Sequence, residues 1–338
     1  MARVGILTSR AVSLRNVAAD IAKALRKVGH EVHVIPQLLS AIDAKRMFER
    51  CILVTVFSPI TISSWFMVWR DLNKWGVPSK LYVTVEGEPK SHLIYDWLKR
   101  ECEVVANSYF TRDMIEGQGV RVVDVVHHGI DLEAVKRARQ LSRPIGKGRG
   151  KVLFGFVANS QPRKGHDRLA KVIKLAAEQV PNAEFYILTE PAAAKYYSGL
   201  ENARVDPRFG NFSRERVLSM IGCFDFYLGV TLSEGFGLPV LEAQAMGVPV
   251  VYLDYAPLNE IVEGKHNIPV VYDSVTRFDC GHGILYTLHL YKPEELLRAI
   301  EAACELHADK KKYSAAKRAV ARHARKFDIL KLYPRLVG

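Results

Sequence analysis

The chain lacks several features that would place it quickly. Among its 338 residues there is no uncharged apolar run of 18 or more, so no membrane-spanning helix is expected. Five cysteines (Cys51, Cys102, Cys223, Cys280 and Cys304) are scattered, odd in number and without a CxxC pair. That argues against a disulfide framework and a zinc ribbon and leaves most of them as small buried hydrophobes. No DxD, no HExxH and no Cys/His cluster with ligand spacing occurs, so nothing visible requires a metal. The opening MARVGILTSRAV lacks the layout of a signal peptide, and a cytoplasmic protein is expected. Acidic residues are in deficit, with 36 Asp and Glu against 48 Lys and Arg, a formal charge of +12. This balance favours anionic partners such as nucleotides, phosphorylated lipids, nucleic acid or an acidic membrane surface, and does not choose among them. No nucleic-acid recognition motif accompanies it, so nucleic acid is not the expected partner.

The length is about twice what one core organises, which predicts two domains. Strand and helix patterns alternate along the whole chain. ARVGIL is a strand, ADIAKALRKVG a helix with Ile21, Leu25 and Val28 on one face and Gly29 at its end, and EVHVI a second strand. CILVTVF, KLYVTVEG, CEVVANS and VRVVDVV continue as strands, with SSWFMVWRDLNKWG as a helix. Runs rich in Val, Ile and Leu without polar alternation mark a sheet covered on both faces. SRPIGKGRGK, residues 142–151, is the best linker candidate, and beyond it the rhythm restarts with KVLFGFVANS. The expected division is 1–145, 151–310, and C-terminal helices over 311–338 returning towards the first domain. In open α/β sheets ligands sit at the carboxyl ends of the strands.

One stretch combines several signals: SEGFGLPVLEAQAMGVPVV, residues 233–251. The strand FDFYLGVTL delivers Ser233 and Glu234 at its carboxyl end. Gly235 and Gly237 allow a tight turn and close approach to backbone. Pro239 suits the first turn of the following helix, whose free amides and dipole favour an anion. Glu242 falls in the first turns of that helix, eight positions after Glu234. The two carboxylates are either surface groups flanking a strand-to-helix corner or the two ends of a ligand site.

SEGFGLPVLE resembles the E-x7-E signature of retaining glycosyltransferases of the GT-B fold, particularly family 4. QPRKGHDRL at 161–169 resembles the family's Lys-Gly segment, and VVHHGIDLEAV, VANSYFTRDMI and VGHEVHVI are weaker likenesses. The resemblance implies two Rossmann-like doubly wound domains facing a central cleft. It implies that Glu234 lies against the transferred sugar and Glu242 on the ribose. Gly235, Phe236, Gly237, Leu238 and Ser233 would line the donor site, and Lys164, assisted by Arg163, would meet the diphosphate. The family's Gly-Arg pair is replaced by Ala158-Asn159, so Asn159 stands where a cation is usual and the charge falls to Arg163. Its glycine-rich loop is replaced by TSRAVSLR, where Ser9, Arg10 and Ser13 could offer donors. Glu86 in VEGEP takes the place of a frequent histidine.

The implied reaction moves a hexosyl group from a nucleotide-diphosphate sugar to an acceptor hydroxyl with retention, by front-face attack, and without metal or other cofactor. The acceptor is lipid-linked, a glycan or a small molecule. The aromatic-basic stripe of Trp65, Phe66, Trp69, Arg70, Lys74 and Trp75, and the basic run 310–326, suit either packing on their own domain or peripheral contact with the inner membrane face. A second reading is a GT-B-fold protein that binds a nucleotide sugar without transferring it.

Overall fold

The computed structural model describes residues 1–141 and 145–338, so residues 142–144, the first three of the proposed linker, lie outside the described part. The chain divides into two compact units. One comprises Met1–Asp131, Arg277–Tyr286 and Phe327–Gly338; the other comprises Leu132–Thr276 and Thr287–Lys326.

The first unit is built on β1 (Arg3–Thr8), β2 (Glu31–Ile35), β3 (Arg50–Val56), β4 (Ser79–Thr84), β6 (Glu103–Ala106) and β7 (Arg121–Val125). The short β5 (Glu88–Pro89) stands outside this sheet. The order is β2-β1-β3-β4-β6-β7, with every described pairing parallel. The helix Val12–Lys27 buries Leu14, Val17, Ala18, Ile21, Ala22 and Leu25, a face at helical spacing. It begins earlier than expected, so Ser13 lies in its first turn. Val28, expected on the apolar face, is the C-cap and is 52% exposed. On the helix Ile62–Lys74, Trp65 and Phe66 are buried and Trp69 Nε1 donates to Ser79 O at 3.0 Å. Most of the aromatic stripe therefore packs on its own sheet, and Trp75 beyond it is 39% exposed.

The second unit is built on β8 (Val152–Val157), β9 (Ala183–Leu188), β10 (Ala203–Asp206), β11 (Phe226–Gly229), β12 (Val250–Leu253) and β13 (Ile268–Val270). Its order is β10-β9-β8-β11-β12-β13, again all parallel. All six residues of β8 are buried, as its unbroken apolar run requires. The helix Lys310–Ala324, from the basic run, turns Tyr313, Ala316, Val320 and Ala324 inward. β10 and the later strands β14 (Ser274–Asp279) and β15 (Ile284–Leu290) have no counterpart in the sequence reading. Ile284 and Leu285 pair antiparallel with Pro89 and Glu88 of β5.

The division departs from the expected boundary near 145 for a packing reason. The helix Leu132–Gln140 packs on Arg214–Ile221 and Leu238–Met246, with Arg137 bonded to Glu215 at 3.1 Å and Arg139 Nη2 donating to Ala245 O at 2.8 Å. Of the 311–338 stretch, Phe327–Gly338 belongs to the first unit. There Tyr333 is fully buried, its hydroxyl accepts from Gly129 N at 3.0 Å, and Ile130 N donates to Phe327 O at 2.7 Å.

Candidate functional site

In the second unit β9 and β10 lie on one side of β8, while β11, β12 and β13 lie on the other. The order therefore reverses between β8 and β11, and such a switch point leaves a crevice outside the carboxyl ends of the two strands. The loops that leave those two ends carry the residues singled out above.

The loop after β8 passes Asn159 and makes one 3-10 turn, Pro162–Lys164. Gly165 follows at φ 68°, the left-handed region, and opens the helix His166–Gln179. The His166 ring fixes this turn, with Nε2 2.7 Å from Asn159 O and Nδ1 2.8 Å from Tyr197 Oη. Burial pushes its pKa down, so the ring is held neutral. The loop after β11 runs through Leu232–Gly237 into the helix Leu238–Met246. Gly237 has φ 91°, and a Cβ there would stand 2.4 Å from Leu258 Cδ2, so a side chain is excluded twice over. Gly247 closes the helix at φ 79°.

The two loops are stitched together. Leu232 N donates to Arg163 O at 2.8 Å, and Arg163 Nη1 donates to Ser233 O at 2.9 Å. Arg163 is only 4% exposed, and its Nε also donates to Gln161 Oε1 at 2.9 Å. Lys164 Nζ donates to Glu234 Oε1 at 2.6 Å, and Arg163 Nη1 lies 3.4 Å from Oε2. The Lys164 and Glu234 side chains are 11% and 13% exposed. Burial alone would raise the Glu234 carboxyl; Lys164 and Arg163 outweigh it and hold the group below the usual carboxylate range. The result is an ionised carboxylate and two cations in a largely dry place.

Around this pair stand groups that the sequence reading missed. Tyr255 Oη donates to Thr231 O at 2.8 Å, and the His289 ring stacks on Tyr255 with centroids 4.0 Å apart. His289 N donates to Leu232 O at 2.9 Å. Further along the motif helix, Glu242 Oε1 accepts from Arg214 Nε at 3.3 Å, with both side chains largely buried. Arg214 sits just after the N-cap Ser213, 28 positions before its partner. No local pattern announces that pairing.

The structure thus brings Arg163, Lys164, Ser233 and Glu234 together. Phe236 is buried, Leu238 half-buried at the start of the helix, and Glu242 forms a second charge pair. Asn159 lies at the head of the first loop, its Oδ1 accepting from Gln161 N at 3.3 Å. Arg163, expected to assist Lys164 at a diphosphate, donates from its guanidinium to Ser233 O and braces the two loops. Ser9, Arg10, Ser13 and Glu86 belong to the first unit and are at the carboxyl ends of β1 and β4. There Ser9 Oγ accepts from Ala11 N at 3.3 Å, Arg10 and Ser13 are exposed, and Glu86 Oε2 accepts from Tyr286 Oη at 3.4 Å. His128, in the segment VVHHGIDLEAV, is buried with its Nδ1 2.8 Å from Tyr82 Oη.

Two parallel doubly wound sheets, with a glycine-hinged, carboxylate-bearing loop at the second sheet's switch point, define an α/β protein whose candidate site lies at the carboxyl ends of β8 and β11. Comparison with known proteins narrows the class. Residues 151–279, which hold this site, match the family model Glycosyl transferases group 1. The chain is 26% identical over 344 residues to "Uncharacterized glycosyltransferase 335" of Sulfolobus islandicus rod-shaped virus 1, covering 99% of both chains. Among solved structures it superposes on Anabaena HepE in complex with UDP-glucose with a TM-score of 0.68, at 14% identity over 100% of this chain and 98% of that one. An α,α-trehalose-phosphate synthase (UDP-forming) from Burkholderia vietnamiensis gives 0.70 at 11% identity, covering 100% and 97%. The fold is that of the GT-B glycosyltransferases, with two Rossmann-like α/β domains.

Proposed function

We propose that this protein is a glycosyltransferase that moves a hexosyl group from a nucleotide-diphosphate sugar to an acceptor hydroxyl, with retention at the anomeric carbon. The observation that carries the reading is the largely buried Lys164–Glu234 pair, set beside the N-terminus of the helix Leu238–Met246 at the switch point of the second sheet. A cation and a helix N-terminus meet the diphosphate, while the carboxylate of Glu234 accepts from sugar hydroxyls. Glu242 takes the ribose hydroxyls, with Arg214 holding its carboxylate in place. The model match over 151–279 and the UDP-glucose complex of HepE support this choice and make UDP-sugars the first donors to test.

In the reaction the bond from the anomeric carbon to the diphosphate oxygen breaks. The acceptor oxygen bonds to the same face of that carbon, and its proton passes to a leaving phosphate oxygen. Lys164 and the helix amides meet the negative charge that builds on the leaving group, which is the effect that most lowers such barriers. Because that charge is assigned to Lys164 and the amides, the reading includes no metal. The second reading, donor binding without transfer, is favoured by Asn159, which supplies no cation where the resemblance expects one.

A thermal-shift screen of UDP, GDP, ADP and their sugars tests the donor half without knowledge of the acceptor. A flat response to all of them sinks the proposal. Slow donor hydrolysis that disappears in Glu234→Ala and Lys164→Ala separates transfer from mere binding. The anomeric configuration of the released sugar, read by NMR, tests retention.

A further inference from the structure

We infer that the Glu234 carboxylate stands in for a diphosphate as the partner of Lys164, and that Lys164 exchanges one for the other when a nucleoside diphosphate binds. The exchange rests on the donor reading above, because it presupposes that a nucleoside diphosphate enters the site.

Two cations approach the Glu234 carboxylate, and they are held differently. The guanidinium of Arg163 is anchored by Ser233 O at 2.9 Å and Gln161 Oε1 at 2.9 Å, and its own carbonyl accepts from Leu232 N at 2.8 Å. Removing it from Glu234 would unstitch the two loops. Lys164 reaches Glu234 Oε1 at 2.6 Å through a flexible, unbranched stem. A diphosphate at the N-terminus of the motif helix offers that ammonium more negative charge than one carboxylate. The lysine therefore turns to the phosphate, while Arg163 at 3.4 Å from Oε2 keeps the carboxylate ionised.

The consequence is conditional recognition. With Lys164 on Oε1 and Thr231 also bonded to the carboxylate, fewer of its acceptor positions are open to a sugar hydroxyl. Once the diphosphate has drawn the lysine away, Oε1 gains an open acceptor position in a largely dry site, where a hydrogen bond to a charged acceptor is strong. The sugar is then held more tightly as part of a donor whose diphosphate is already seated than as a free hexose, which must share the carboxylate with the lysine.

The exchange predicts opposite effects for the two partners. In Glu234→Gln the lysine loses its competing carboxylate. The variant should bind whichever of UDP, GDP or ADP the wild type binds best about tenfold more tightly by calorimetry, equivalent to about 1.4 kcal/mol. Lys164→Ala should bind it about tenfold more weakly. The affinity that the wild type gains from the attached hexose should be absent in Glu234→Gln. Equal or weaker binding of the nucleoside diphosphate by folded Glu234→Gln overturns the exchange. A structure of the wild type with that diphosphate bound gives an independent answer. Lys164 Nζ on a phosphate oxygen and away from Oε1 supports the exchange; Nζ still on Oε1 overturns it. If none of the three nucleotides binds the wild type, the donor reading falls and takes the exchange with it. If the wild type binds one and Glu234→Gln gains nothing, the exchange alone falls.

Discussion

The two sheets solve the same packing problem and end differently. In each, the first central strand carries a glycine beneath a phenylalanine that precedes the neighbouring strand. Gly5 of β1 lies under Phe48, ahead of β3, and Gly155 of β8 lies under Phe224, ahead of β11. A Cβ would stand 2.3 Å from the Phe48 ring and 1.9 Å from the Phe224 ring. At the carboxyl ends the likeness stops. The switch point of the first sheet, between β1 and β3, leads into exposed Arg10 and half-buried Ser9, with Thr8 Oγ1 buried and making no hydrogen bond among the described residues. The switch point of the second sheet leads into two loops bonded to each other and a largely buried carboxylate between two cations. Desolvating three charges is expensive unless they are mutually paired. The second unit carries that expense by pairing its charges with one another; the first leaves its end solvated.

The glycine positions give the largest expected effect. Gly155→Val should lose about 3 kcal/mol of stability, because the Phe224 ring has no room to yield in a close-packed interior. Gly5→Val should follow closely, and a wild-type urea midpoint for either would break the equivalence of the two sheets. Next come the switch points themselves. Lys164→Ala should reduce transfer about 100-fold or more with the fold intact, as loss of a group that meets transition-state charge does. Arg214→Ala should weaken the donor about tenfold by loosening Glu242, raising KM more than it lowers kcat.

A smaller effect comes from acid. The depressed Glu234 group contributes stability that is fully present above the ordinary glutamate pKa, about 4.3, and is lost as pH falls through its lowered native value. Glu234→Gln lacks that linkage, so its stability should fall less steeply below about pH 4 in a pH series of urea melts. Smallest of all, Arg10→Ala in the solvated end should change stability by no more than about 0.5 kcal/mol. A larger loss would mean that the first unit's end is as tightly built as the second's.

How much of this was legible in the sequence follows from where the information lies. The central strands announce themselves because burial on both faces demands unbroken apolar runs, as in VLFGFV and RCILVTV. The motif loop was legible because Gly237 and Gly247 sit where the backbone has positive φ and Pro239 where a helix starts. β14 was not, since all six residues of SVTRFD are exposed and carry no apolar period. The allegiance of the helix Leu132–Gln140 was hidden because its partners stand some 80 to 110 positions later. The same distance in sequence hid the Arg214–Glu242 pair and the bracing role of Arg163, whose neighbour Ser233 lies 70 residues on.

The placement of Phe327–Gly338 has a consequence for how the chain is made. Tyr333 fills the interior of the first unit, yet it leaves the ribosome after every residue of the second. During synthesis the second unit has its full set of residues before the first can close around that ring. A fragment ending at Asp131 therefore lacks the tyrosine that Gly129 N bonds to, and such a fragment is a poor choice for expression by itself.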